Sequence, residues 1–591
     1  MNSALSCFPA NIFRLLVVSF LAFASLPFRA TAQTSPEPAR DAAASNARQQ
    51  QLLEQQRQAQ ERAAAISAPA VRSEMPSSDG WTTLPAETPC FRIEKFSLDI
   101  PATLPKRAQA AGASTLPMDP FAFAANWLAH HRGQCLGRQG IATITAGLTR
   151  EILARGYVTT RVLVPEQDLT TGELKLTLIP GIIRDIRFAD PLQYGTWRTA
   201  FPTTAGEMLE LRDLEQGLEQ MKRVASQDVT MQIVSTEAPG ESDVVIDVNR
   251  AKRWSVVASI DNSGARDTGK LQGGLALGID NPLGLNDILN IGASHDLAFA
   301  DKRFGSNGWN AFYSIPWGYW TATLSAYANR YNQKIAGVND TFKTRGQSQN
   351  VDLKLSRVLQ RSQSHVLSAQ VRLGKRFGRS YLEDAEIDQQ YRNNTFVEFG
   401  IVDRHYIGAG QLDGSLMYRQ SVAGLGAAQD NAVPGTPTYR FKMAVLDANL
   451  SLPLGQLPLR YVTTFHGQFT NDVLHYIDDL SIGSRYTVRG FDGESSLAAE
   501  KGFYWRNELQ WMLGTSGISL FAGVDYGRVS GPNAAYLAGT QLAGAVIGLR
   551  GNAKLPFGFV AGEVFAGTPV YKPKTFQTAH ATVGFSLTAQ F

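Results

Sequence analysis

One cation, Arg489, stands in the run Tyr486-Thr487-Val488-Arg489-Gly490-Phe491-Asp492-Gly493, between apolar neighbours and beside glycines that permit tight backbone turns. Further along, Phe521-Ala522-Gly523-Val524-Asp525-Tyr526-Gly527 sets an acidic residue among small, apolar and aromatic ones. On a strand, Asp525 shares its face with Gly523 and Gly527, which place no side chain in its way. The chemistry open to such a pair is a charge-assisted hydrogen bond, stronger in a confined, partly desolvated site than at a surface. Losing one partner there leaves a costly orphan charge. A loop folding inward would carry Arg489 onto Asp525; the alternative is a solvated carboxylate with no fixed partner.

Nothing suited to making or breaking bonds accompanies this pair. The sequence has no Gly-x-Ser-x-Gly elbow and no phosphate-binding Gly-Lys-Ser/Thr loop. His130 and His131 adjoin at a helix end and do not share a face, and no Cys/His metal spacing appears. The reading is of a chain with no catalytic residues, no metal and no cofactor.

The elements that must position the pair are strands. From Ala579 to Phe591 the chain alternates without a miss, apolar residues on one face and His580, Thr582, Gly584, Ser586, Thr588 and Gln590 on the other. Such a stretch is long enough to cross a tilted bilayer, which needs about 9–11 residues. Ending on an aromatic residue, Phe591, is a feature of outer-membrane barrels. The same alternation recurs upstream. Trp254, Val256, Ala258 and Ile260 share a face, with Val257 as the exception. Trp320, Ala322, Leu324, Ala326 and Ala328 oppose Thr321, Thr323, Ser325, Tyr327 and Asn329. Leu367, Ala369, Val371 and Leu373 oppose Ser368, Gln370, Arg372 and Gly374. Repeated apolar-out, polar-in strands predict a transmembrane β-barrel over 251–591, of about 16 antiparallel strands, with the last strand closing on the one near Trp254.

Composition and leader agree with export. There are 53 glycines, 30 phenylalanines and 18 tyrosines, and charged residues make up only 18% of the 591. Net charge is +4, with Arg14 and Arg29 in the leader, so no electrostatic footprint for nucleic acid remains. Arg14, the apolar run Leu15–Leu26 and Ala30-Thr31-Ala32 before Gln33 read as a signal peptide, 1–32. No later stretch has the length of a transmembrane helix.

Between leader and barrel lie three further regions. Residues 33–66 favour a helix over 37–66 but offer no apolar stripe; a helix polar all round needs a polar environment. A polar barrel lumen would suit it as a plug; a periplasmic tether is the alternative. Residues 67–89 read as a Ser-, Pro- and Thr-rich linker. Residues 90–180 and 181–250 repeat a mixed α+β pattern twice, as two small domains. The cysteines left after Cys7 departs with the leader, Cys90 and Cys135, most simply form one disulfide in an oxidising compartment, the alternative being two buried thiols.

These features resemble the outer-membrane transporters of two-partner secretion, the TpsB family (haemolysin-transporter/activator type) within the superfamily of barrel-assembly proteins. Val488, Arg489, Gly490 and Phe491 match the Val-Arg-Gly-Tyr/Phe tip of that superfamily's inward-folded sixth loop. Phe521, Asp525 and Gly527 match the Phe-x-x-x-Asp-x-Gly strand that receives the loop arginine. Cys90-Phe-Arg-Ile, Cys135-Leu and Gly156-Tyr-Val-Thr-Thr-Arg161 leading to Pro165-Glu166-Gln167 resemble the haemolysin-transporter branch. The resemblance spans the mature chain and implies a plug helix, two POTRA domains in the periplasm and a 16-stranded outer-membrane barrel. The implied activity is passage of an unfolded TpsA-type haemolysin, adhesin or contact-dependent toxin to the surface without nucleotide hydrolysis. Implied partners are that substrate, outer-membrane lipid and, during biogenesis, the barrel-assembly machinery that reads a terminal Phe591. The rival readings are an insertase for other barrels, a passive porin and an outer-membrane enzyme. Insertases commonly carry more small domains and no plug, a porin needs no periplasmic domains, and an enzyme lacks its constellation here.

Overall fold

In the computed structural model the described residues are 38–67, 69–73, 75, 83–100, 121–298, 304–336, 341–430, 433, 435–556 and 558–591. The leader lies outside them. Among them no helix is long and apolar enough to cross a membrane.

The C-terminal half closes into a barrel of sixteen long antiparallel strands, from Trp254–Asp261 to Thr582–Gln590, with a two-residue addition at Ala385–Glu386. Each strand pairs with its sequence neighbour, and the last returns to the first through Ser586↔Asp261 to Gln590↔Val257. A closed sheet leaves no unpaired backbone in the bilayer, which is the condition for spanning it with strands. The alternation sorts side chains as the sequence predicts. Leu353, Leu355, Val371, Leu373, Phe399 and Ile401 are exposed on the outer face, where lipid solvates them, while Asp352, Arg376, Asn394 and Glu398 are buried inside. The terminal strand is shorter than the thirteen-residue alternation. It begins at Thr582, because Ala579 gives its backbone N–H to Asp492 of an inward loop instead of to a strand.

The first small domain carries a three-stranded sheet of Lys95–Asp99, Glu173–Ile179 and Arg161–Leu163, with Glu173–Ile179 central. Helices Ala122–Ala129 and Arg138–Ala154 cover it, burying Leu128, Ile144, Leu148 and Ile152 against Leu174, Leu176 and Leu178. Arg138–Ala154 ends where Gly156 adopts a left-handed φ of 96°, costless only for glycine. The region 91–100 breaks after Ile93 into two short strands. Phe91–Ile93 pairs instead with Gln134–Leu136, beside a Cys90–Cys135 disulfide with Cα atoms 5.4 Å apart. Its 45-residue separation corresponds to about 4 kcal/mol in the chain-entropy model. Cys90→Ser with Cys135→Ser is therefore expected to open this domain first, seen as early protease cleavage within 90–180 while the barrel stays heat-modifiable on gels.

Glu87, at the end of the linker, clamps the same corner. Its carboxylate accepts from the backbone N–H groups of Gly137 (2.7 Å), Gln139 (2.9 Å) and Gly140 (2.6 Å), at the start of Arg138–Ala154. Three otherwise orphaned donors are satisfied at once. Desolvation pushes the Glu87 carboxyl up, but these N–H groups outweigh it and hold it below the ordinary carboxylate range. A depressed carboxyl stabilises the fold fully above its unfolded value of about 4.5, and that stability is lost as pH falls through the lower folded value. Amide protection at 138–142 is expected to fall on acidification below about pH 4.5, and Glu87→Gln should weaken it at neutral pH.

The second small domain repeats the plan. Ile182–Phe188 and Glu241–Arg250 pair in parallel, Gln227–Ser235 adds antiparallel to the latter, and helix Leu211–Lys222 buries Leu214, Leu218 and Met221 on them. It is also fastened to the barrel. Gln216 and Gln220 donate to the Gly318 carbonyl of a barrel turn, and Tyr319 donates to Asp213.

The N-terminal helix, Pro38–Ile66, lies inside the barrel. Asn46, Gln49, Gln50, Gln51 and Arg57 are all buried there, although none is apolar. Amide side chains meet lumen partners one by one: Gln50 donates to Ser380 (3.1 Å), Thr268 donates to Gln49 (3.0 Å), and Tyr331 donates to the Asn46 carbonyl (3.2 Å).

Candidate functional site

The long connection between strands Leu459–Phe469 and Lys501–Met512 folds back into the lumen. It carries its own small hairpin, Leu480–Ile482 with Leu497–Ala499. Beyond that hairpin Val488 and Phe491 are buried with Leu480, Ile482, Tyr504, Val529, Leu542 and Phe576, a small apolar core that ties the loop to the wall. Phe491 meets Phe576 edge to face at 5.8 Å between ring centres.

Between the two apolar anchors, Arg489 reaches strand Ile518–Ser530. Its Nε lies 2.8 Å and its Nη2 3.0 Å from the two oxygens of Asp525, and its own backbone N–H donates to Asp525 at 2.9 Å. Arg489 is 4% exposed and Asp525 is 0%. The two-toothed geometry matches a planar guanidinium to a planar carboxylate, which lysine cannot do.

A second carboxylate, which sequence inspection missed, completes the site. Arg489 Nη1 lies 2.6 Å from Glu508 on the neighbouring strand, and Glu508 in turn takes Arg550 at 3.2 Å and Gln510 at 2.7 Å. Arg550 also pairs with Glu563, and Arg506 lies 3.9 Å from Asp525. Three guanidiniums thus face three carboxylates, a balanced set that lets so much charge stay buried. Tyr504, Arg506, Glu508 and Gln510 occupy alternate positions of one strand, so a polar stripe was visible in the sequence, though its pairing was not.

Glycines make the room. A Cβ on Gly523 would stand 2.9 Å from Arg489 Nη2, and one on Gly527 would stand 2.8 Å from Val488. On the next strands, Gly544 and Gly567 would meet the backbone of Arg489 and Gly490 at 1.8 and 2.9 Å. Gly490 itself has φ 101°, a conformation L side chains rarely adopt. Phe521 does not meet the loop arginine; it is buried with Val546 and Phe565 and stacks under Arg550 at 4.8 Å, holding the cation that serves Glu508. Phe591 lies at the seam, its N–H and carbonyl both paired with Val256 of the first barrel strand.

The N-terminal helix grips the same loop from the other side. Gln55 donates to the Ser481 carbonyl (3.0 Å) and accepts from Ser484 (2.6 Å), and Gln51 donates to the Tyr476 carbonyl (2.6 Å). The chain that follows the helix is tied to the second small domain: Val71 N–H donates to Glu219 and Ser73 N–H to Glu215. Arg361, at a barrel strand end, joins all three parts, pairing with Glu219 at 2.8 Å and donating to the Val71 carbonyl at 3.1 Å. Among the described residues no group of histidine, cysteine and carboxylate side chains could hold a metal ion.

A sixteen-stranded barrel, an inward loop locked by an arginine and two serial α+β domains together define the class of outer-membrane transporters with POTRA domains. The chain matches the model of the haemolysin secretion/activation proteins ShlB/FhaC/HecB over residues 240–551, an ShlB-type POTRA domain over 107–181 and a further POTRA domain over 182–235. It belongs to that family, the TpsB transporters of two-partner secretion, and resides in the outer membrane with its POTRA domains in the periplasm. It is 59% identical over 587 residues to the outer membrane transporter CdiB-2 of Burkholderia pseudomallei strain 1026b, covering 98% of this chain and 100% of the relative. It is 30% identical over 570 residues to CdiB of Escherichia coli, covering 93% and 90% of the two. Among solved structures it resembles CdiB from Acinetobacter baumannii at 26% identity and a TM-score of 0.78, covering 93% and 99% of the two chains. CdiB from Escherichia coli gives a TM-score of 0.77, also at 26% identity, with 95% and 100% covered.

Proposed function

We propose that this transporter captures one unfolded TpsA-type partner in the periplasm, of the contact-dependent toxin class, and passes it through the barrel to the cell surface. The partner class is supported by the CdiB relatives, one of which aligns along nearly the whole chain. Edge strands of the two POTRA sheets, Lys95–Asp99, Arg161–Leu163, Ile182–Phe188 and Gln227–Ser235, offer backbone that an extended chain can extend by strand addition. Docking on the second domain disturbs the helix Leu211–Lys222, to which the linker is bonded, and that junction leads to the helix in the lumen. The lumen helix is the resting plug. It leaves as the substrate enters, and folding of the substrate outside supplies the direction. The Arg489–Asp525–Glu508 site, deep in the wall, holds the inward loop in its working position.

The observation that carries this reading is the polar helix occupying a polar lumen beneath a locked loop, with its linker bonded to a POTRA domain. The test is a strain in which a TpsA-type exported protein is expressed with and without this transporter. Deleting the transporter should leave that protein in the periplasm, and restoring it should return the protein to the surface, read by protease shaving of whole cells. Surface delivery without the transporter would sink the assignment.

A further inference from the structure

The barrel wall behind the helix is lined by cations that take no part in the Arg489–Asp525–Glu508 site. On strands Thr341–Arg361, His365–Leu382, Arg392–Ile407 and Gly410–Val422 these are Lys354, Arg372, Arg376, Arg392 and Arg419. Strand register sets Arg372, Glu398 and Arg419 in one row, with Arg376 opposite Asn394 a step further along. Glu398 braces the first row, at 3.3 Å from Arg372 and 2.7 Å from Arg419. Phe396, fully buried, lies between the guanidiniums of Arg376 (4.7 Å) and Arg419 (4.9 Å) and fixes both by cation–π contact.

Two things say what this row takes. First, it already holds carboxylates from outside the wall. Glu54 of the helix lies 3.5 Å from Arg376, and Glu61, paired with Arg57 of its own helix, lines one cavity with Arg372 and Lys354. Asp478 of the inward loop is shared by Arg376 and Arg392. Second, the set is not saturated: Arg376, 4% exposed, has no hydrogen-bond partner at Nε, and buried Asn394 has none at Nδ2. Once the helix leaves, five cations face Asp352, Glu398, Asp478 and Asp447, the last bared as Arg62 departs, an excess of one positive charge on one side of the pore.

We propose that this wall is a binding track for acidic stretches of the translocating polypeptide, running through Arg372, Arg376, Arg392 and Arg419, and that Glu54 and Glu61 of the helix are its resting occupants. The inference rests on the reading of the helix as a plug that leaves. Incoming carboxylates then replace those of the plug on the same guanidiniums, so the plug is exchanged for substrate without leaving the cations bare in a confined lumen. The braced, aromatic-backed arginines lose little side-chain freedom on binding, and they read acidic side chains regardless of neighbouring sequence.

The test uses protein lacking residues 38–66 in planar bilayers of neutral lipid, with polyglutamate and polylysine of equal length as probes. Polyglutamate is expected to block the open pore at a concentration at least tenfold lower than polylysine. Arg372→Gln, Arg376→Gln, Arg392→Gln and Arg419→Gln together should erase that preference and strengthen polylysine block, because Glu398 and Asp478 then lose their partners. Equal block by both probes, or stronger block by polylysine, overturns the track; the first comparison needs no substitution and holds even should the fourfold variant fail to assemble. Polyglutamate preference without any conductance gain on deletion would support the track while sinking the plug reading, so the two failures are separable.

Discussion

Secretion is expected to collapse in Arg489→Gln and in Asp525→Asn, and to return only in part when the charges are exchanged. Removing one member of a buried, hydrogen-bonded ion pair costs about 3–5 kcal/mol, because the other charge stays behind. At about 1.4 kcal/mol per factor of ten, the docked state of the loop falls a hundredfold or more. A simple pair would predict good rescue by Arg489→Asp with Asp525→Arg. The geometry predicts less. Asp525 also accepts the backbone N–H of residue 489, which an arginine there cannot do. An aspartate at 489 would also face Glu508, which now lies 2.6 Å from Arg489 Nη1, and like charges would meet. Adding Glu508→Gln to the exchanged pair should therefore raise rescue further, measured as partner protein at the surface. Rescue that is complete without the third change would mean that Glu508 plays no part in holding Arg489. No rescue in either variant would mean that the direct contact is not what secretion needs.

Deleting residues 38–66 is the second large effect. A helix with its side chains is about 10–12 Å across, and here it occupies a lumen whose wall touches it from several sides. Single-channel conductance is expected to rise severalfold, with steady open levels in place of rare brief ones. The helix is suited to leave. Its contacts are single hydrogen bonds and weak ion pairs, such as Gln50 to Ser380 and Arg62 to Asp447 at 3.3 Å, each contributing roughly 0.5–1.5 kcal/mol net. Its surface carries no apolar stripe, so entering water exposes little grease. Charge clusters internal to the helix travel with it: Arg57 bonds Glu54 and Glu61, both at 2.5 Å. Unchanged conductance after deletion would instead favour a tether.

Much of this was legible without coordinates. Side-chain alternation reports directly on the two solvents of a membrane barrel, lipid outside and water inside, so strand type and facing follow from residue order alone. Arg489 and Asp525 stood out because a charge is rare in such surroundings, and glycine on the same face marked where something must approach. The mixed α+β pattern of the two small domains was visible over 90–180 and 181–250, where helices Arg138–Ala154 and Leu211–Lys222 form. Glu508 escaped notice because a carboxylate on a lumen face is ordinary: its neighbours Arg506 and Gln510 are polar as well, and only proximity distinguishes it. The break between Ile93 and Lys95 also escaped, since the pairing of Phe91–Ile93 with Gln134–Leu136 depends on residues far along the chain.

By itself, then, residue order determined the compartment, the succession of parts and the chemical kind of each surface, because these depend on local periodicity and on which solvent a side chain prefers. The tertiary structure decided who meets whom. It set Glu508 beside Arg489, Gln55 against the loop, Arg361 at the junction of linker, POTRA domain and barrel, and Glu54 of the N-terminal helix beside Arg376 of the wall. Those contacts join residues hundreds of positions apart, and strand register and loop path, which no local pattern encodes, bring them within a few ångströms.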